Sequence, residues 1–108
     1  MNLPNSSYIK NLSQGNIDFE KHLIEIIRGE LANEIETYRS AIDSKDFETA
    51  ASMVHKLKHK IGVVGLSDGY QLAIDYEENL KLGKKDLQST FEKLLPIMLD
   101  YIGNYEVE

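Results

Sequence analysis

Within His55-Lys56-Leu57-Lys58-His59-Lys60, two imidazoles and three ammonium groups stand in six consecutive residues of an acidic chain. The 108 residues carry 12 Lys/Arg and 18 Asp/Glu, a net charge of −6. Residues 1–54 have a balance of −4 and residues 61–108 of −5, so residues 55–60 form a local island of +3. An imidazole nitrogen is a competent nucleophile near neutral pH. Lysines beside it can bind and position an anionic group in transit. Together these residues suit phosphoryl transfer through histidine.

On a helical wheel of ~100° per residue, Phe47, Ala51, Val54, Leu57, Ile61 and Val64 fall in one arc, the expected core stripe. His55 lies on the flank of that stripe, and His59 is one turn further on the same side. Lys58, three residues after His55, shares its side. Its stem can follow the core edge while the ammonium reaches toward the imidazole. Lys56 and Lys60 are expected to point into solvent. Ala51, Ser52 and Gly62 are small, which would let a partner approach the ring. The second ring nitrogen needs an acceptor to fix the tautomer, and Glu77 on the following helix is the candidate.

Helices must position these groups. Phe19, Leu23, Ile26, Ile27, Leu31, Ile35, Tyr38 and Ile42 recur at 3–4 spacing, predicting a helix from about Asp18 to Asp43 capped by Asn16 or Asp18. A second is expected from Asp46 with Asp43 or Ser44 as cap, and a third from about Ser67, capped by Ser67 or Asp68 and ended by Gly83. A fourth is expected from Lys85-Asp86, with Leu87, Phe91, Leu94, Leu95, Met98 and Ile102 inward, and Pro96 kinking it or delaying part of it. Tyr8-Ile9 and Leu12 suggest a short turn leaning on the bundle. Phe19, Tyr38, Phe47, Tyr70, Tyr76 and Phe91 sit at core spacing and are expected to pack. Links of two to five residues favour antiparallel neighbours. The expected fold is therefore all-α, an antiparallel up-down four-helix bundle with a short extra N-terminal helix. One domain over 1–108 is expected, with an ordered core of about 8–103 and a frayed tail from Asn104.

The run Ala51…His55-Lys56-Leu57-Lys58…Gly65-Leu66 resembles the histidine phosphotransfer (HPt) domains of bacterial two-component phosphorelays. Their signature is a histidine, a hydrophobic residue two on, a lysine three on and a glycine ten on; His55, Leu57, Lys58 and Gly65 match it. Members commonly carry Gln or Glu 22 residues after the histidine, where Glu77 stands. The resemblance spans roughly residues 8–103. It implies a phosphocarrier that accepts a phosphoryl group on His55 from a receiver-domain aspartate and passes it to another receiver. In that role Lys58 supplies charge and Glu77 orients the ring, while Lys56, His59, Lys60, Gly62, Ala51 and Ser52 meet the partner. The partners implied are response-regulator receiver domains or a hybrid sensor histidine kinase, with Mg2+ on the receiver and no cofactor on this chain. One departure stands out: the family usually has glycine four residues after the histidine, and this chain has His59. That feature favours the alternative, an HPt-like module that docks receivers or kinases without transferring phosphate.

Other classes are excluded or disfavoured. There is no cysteine, hence no disulfide framework, thiol catalysis or Cys-based zinc site. The His55/His59 pair has the i, i+4 spacing of metal ligands, but neighbouring lysines repel a cation, so no metal site is expected. No GxxxxGK[ST] motif or glycine-rich kinase loop marks an ATP site. A pI near 5.0 argues against nucleic acid. No apolar run reaches the ~18 residues of a membrane span, and the N-terminus lacks a basic start and apolar segment. A cytoplasmic, monomeric protein is expected, free-standing given Met1 and the lack of a flanking linker.

Overall fold

The computed structural model describes residues 3–107; the expected domain limits at Met1, Asn2 and Glu108 lie outside the described residues. These form α1 (Ser7–Ser13), α2 (Ile17–Asp43), α3 (Phe47–Val63), α4 (Ser67–Lys81), α5 (Gln88–Glu92) and α6 (Leu94–Gly103), with no strand among them. The all-α expectation holds.

Cross-helix pairs give the directions. Lys60 meets Glu30 and Glu34 near the middle of α2, while the α2–α3 turn joins Asp43 to Phe47, so the two run antiparallel. His55 faces Glu77 and Gly62 faces Tyr70, so α3 and α4 do too. Tyr38 meets Glu92, and Arg28 donates to the carbonyl of Ile102, so α5 and α6 return along α2. α3 sits between α2 and α4, which makes it the element best held in place.

The turns around α3 are built the same way. After α2, Lys45 N–H bonds Ile42 O and Asp46 N–H bonds Ala41 O; after α3, Gly65 bonds Gly62 O and Leu66 bonds Ile61 O. Both are Schellman motifs, with Lys45 (φ 60°) and Gly65 (φ 81°) in the left-handed region. Gly83 (φ 73°) closes α4 likewise, as its position in the sequence suggests. These tight closures move the expected caps. Ser44 is occupied ending α2, its hydroxyl donating to Ser40 and Ala41 carbonyls, so Asp46 itself caps α3 by accepting from Thr49 N–H. At α4 the cap position is Leu66, not Ser67 or Asp68, because the same residue is the buried closing contact of α3. Asn16 caps α2 as expected.

The fourth helix begins at Gln88 rather than at Lys85-Asp86 and is interrupted before Pro96. Pro96 has no N–H for the carbonyl of Glu92, and its ring crowds that carbonyl. The helical bonding is interrupted at Lys93, which itself keeps right-handed helical dihedrals (φ −66°, ψ −22°), so α5 and α6 are two segments joined one turn before the proline.

The core centres on Tyr38, Tyr76 and Phe91, with ring centroids 4.9–6.3 Å apart. The two hydroxyls are 2.7 Å apart and Tyr38 donates to Glu92 at 2.8 Å, so the buried phenols are satisfied. Burial and these bonds raise the Tyr38 pKa far above the usual tyrosine range. Two expected core aromatics are exposed. Phe19 is 42% exposed because the inward row of α2 is Glu20, Ile24, Ile27, Leu31, Glu34, Ile35 and Tyr38, one position out of phase with it. Ile26 is out of phase for the same reason. Tyr70 packs against Gly62 but is 37% exposed.

The expected frayed tail is docked. Tyr105 donates to Glu20 at 2.8 Å, Arg28 donates to Tyr105 O at 2.7 Å, and Val107 packs against the core. Lys10 of α1 reaches the same Glu20 oxygen at 2.8 Å. One buried carboxylate on α2 thus ties both ends of the chain to the bundle.

Candidate functional site

The site lies where the middle of α3 faces the C-terminal half of α4. Val54 and Leu57 anchor α3 in the core, which fixes the rotation of the helix and leaves His55 at its edge with a side chain 51% exposed. Tyr76 and Leu80 anchor α4 and turn Glu77 toward α3. Glu77 Oε1 lies 3.2 Å from His55 Nδ1 and 3.6 Å from Lys58 Nζ, and Lys58 Nζ is 3.3 Å from the same Nδ1. Glu77 Oε2 is taken by Lys81 at 3.2 Å.

Burial raises the Glu77 pKa, since its side chain is only 11% exposed. Hydrogen bonds from Lys81 and His55, with the charge of Lys58 and that of His55 when its ring is protonated, outweigh burial and hold the carboxyl below its usual range. Glu77 is therefore an anion at neutral pH and the strongest acceptor beside the ring. With hydrogen on Nδ1, the ring donates to Glu77 Oε1, and the Lys58 ammonium, 3.6 Å from the same oxygen, pairs with it by charge. The lone pair is then left on Nε2, the other ring nitrogen.

His55 borders an open groove of about 780 Å³ between α3 and α4. Phe47, Ala51 and Leu80 line its apolar part; Ser52, Lys56, Glu77 and Lys81 supply its polar groups. No cluster of three or more metal-binding side chains occurs among the described residues.

The family model of the Hpt domain matches residues 22–105. The chain belongs to the Hpt domain family. Comparisons with curated proteins and with solved structures give no significant match. Hpt domains are helical bundles that carry out histidine phosphotransfer in phosphorelays, with receiver domains and histidine kinases as partners and no ATP site of their own. No helix among the described residues is long and apolar enough to cross a membrane.

This Hpt domain brings together His55, Lys58 and Glu77, and places Lys56 and Ser52 at the groove. Ala51 is there too, but buried, so it shapes the floor instead of offering a free surface. Two of the residues expected to meet the partner have neighbours within the fold. Lys60 does not point into solvent: its side chain is 13% exposed and its ammonium lies 3.0 Å from Glu34 and 3.2 Å from Glu30 on α2. The helical phase explains it, since Lys60 is next to buried Ile61 and follows buried Leu57 by three residues. Gly62 makes room for Tyr70, whose Cδ2 would sit 3.3 Å from an added Cβ, so its smallness serves packing between α3 and α4. His59 is exposed, its ring edge-on to His55 with centroids 5.1 Å apart.

Lys81 is a site residue that the sequence reading misses. Its signal was present: Glu77 and Lys81 have the i, i+4 order that pairs on a helix face. The apolar part of the groove was also legible in principle, since Phe47 and Leu80 border the core stripes of adjacent helices.

Proposed function

We propose that this Hpt domain carries the phosphoryl group on His55 Nε2, receiving it from one receiver aspartate and yielding it to another. The supporting observation is the buried, ionised Glu77 at 3.2 Å from Nδ1 beside a half-exposed ring. With hydrogen held on Nδ1, Nε2 attacks the phosphorus of an aspartyl phosphate. The N–P bond forms as the P–O bond to the aspartate breaks, and the aspartate carboxylate leaves. The ring becomes cationic because Nδ1 keeps its hydrogen, and Glu77 stabilises that charge. The ammonium of Lys58 swings from Glu77 toward the phosphoryl oxygens. Mg2+ on the receiver would supply most of the remaining charge stabilisation, and return of the group is the same step reversed.

Incubation with a phosphorylated receiver should give acid-labile, base-stable label on this protein. Label that persists in His55→Gln contradicts the assignment. A second reading has one observation behind it: the His59 ring stands edge-on to His55, where the family usually has glycine. That reading is a docking module that binds receivers or kinases without carrying phosphate.

A further inference from the structure

Lys81 holds the one oxygen of Glu77 that neither His55 nor Lys58 approaches, and we propose that it is a positioning residue that fixes the histidine tautomer through this carboxylate. The proposal rests on His55 being the phosphoryl acceptor.

The argument is geometric. Oε1 is shared by His55 Nδ1 at 3.2 Å and Lys58 Nζ at 3.6 Å, whereas Oε2 is bound by Lys81 at 3.2 Å. A carboxylate tethered at Oε2 cannot rotate to offer both oxygens to Lys58. Oε1 therefore stays in reach of the ring. Without that tether, Lys58 draws the carboxylate away from Nδ1, and the ring is free to place its hydrogen on either nitrogen. An Nε2–H ring has no lone pair where the phosphoryl group is to bind.

Charge compensation points the same way. Glu77 is nearly buried, so its anion depends on neighbouring cations. The charged groups facing it are His55 and Lys58 from α3 and Lys81 from its own helix. Lys58 is the cation that must leave when a phosphoryl group arrives. Lys81 remains, and it keeps Glu77 ionised while Lys58 is engaged elsewhere. Glu78, 3.6 Å from Lys81, is a weaker competitor on the exposed side. Lys81 is itself 54% exposed, so replacing it leaves the core intact.

The test compares Lys81→Met and Lys81→Arg in the full chain, by ¹⁵N chemical shifts of the His55 ring and by phosphotransfer from a phosphorylated receiver. In Lys81→Met the Nδ1–H form should fall from dominant to a mixture. The maximal transfer rate should drop roughly two- to five-fold, the worth of a partly exposed ion pair. The receiver concentration giving half-maximal rate should not move, and Lys81→Arg should restore both tautomer and rate. An unchanged tautomer in Lys81→Met overturns the proposal. So does a shift in half-maximal receiver concentration with the maximal rate intact, which would make Lys81 a docking charge at the groove. If the natural protein takes no label, the carrier reading fails, while the ring shifts still decide what Lys81 does to the tautomer.

Discussion

Replacing Gly65 with alanine should destabilise the bundle by about 2–3 kcal/mol, through two separable effects. Gly65 sits at φ 81°, where an L side chain costs ~1–2 kcal/mol. An added Cβ would also fall against the Asn5 side chain, 2.7 Å from Cγ and 2.9 Å from Oδ1. Asn5 is not idle there. Its Oδ1 accepts from Ser7 N–H at 3.0 Å at the start of α1, and its own N–H bonds Val64 O at 2.8 Å. Pushing it aside weakens these bonds at the entry to α1, worth ~1 kcal/mol. Urea denaturation of the wild type, Gly65→Ala, Asn5→Ala and the double variant separates the two effects. In the Asn5→Ala background the Gly65→Ala penalty should shrink to the dihedral part, about 1–2 kcal/mol. A penalty below about 0.5 kcal/mol in the wild-type background would refute the argument about the left-handed turn. An equal penalty in both backgrounds would refute the contact with Asn5. Transfer by the folded variant should change little, since the eight helical residues 56–63, at ~1.5 Å each, separate His55 from this turn.

Other expectations follow from the same contacts. Lys60→Met should lower stability by about 1–3 kcal/mol in denaturant titration, because it leaves buried Glu34 without its cation, and should leave receiver affinity unchanged; a loss of affinity without a loss of stability would return Lys60 to the docking surface. The hydrogen bond from Lys10, with that from Tyr105, holds the Glu20 carboxyl below its ordinary 4.5. A depressed folded pKa contributes stability above the unfolded value, and that stability is lost as pH falls through the folded one. Glu20→Gln should therefore melt earlier than wild type at pH 7, with the gap closing as pH falls below 4.5 and through the lowered folded value; a constant gap would show that Glu20 acts by packing alone. His59→Gly should raise the transfer rate if the edge-on imidazole obstructs the receiver, and transfer that appears only in this variant would identify the natural protein as a docking module.

Much of the site was legible because helix periodicity and residue chemistry agree there. His55, Lys58 and Glu77 follow from a wheel plus the family spacing, and the structure puts His55 Nδ1, Lys58 Nζ and Glu77 Oε1 within 3.6 Å of one another. The misreadings have a common origin in phase. A 3–4 pattern permits two adjacent rows, and on α2 the row chosen includes Glu20 and Glu34 in place of Phe19 and Ile26. An acidic residue in the inward row is invisible to a hydrophobic pattern until its cation is located in space. Lys10, Lys60 and Tyr105 lie 10, 26 and 85 residues from the carboxylates they meet. The same long-range pairing explains why Lys60 and the C-terminal tail looked solvated. The caps shifted because three-residue turns make one residue finish a helix and begin the next, which Leu66 does.

The most direct test is phosphotransfer from a receiver aspartate, read by mass spectrometry of the labelled chain under base-stable conditions. The phosphoryl group should map to the peptide containing His55, on the ring of His55 and not of His59, and His55→Gln should abolish it. Label on His59, or equal label in His55→Gln, would contradict the account.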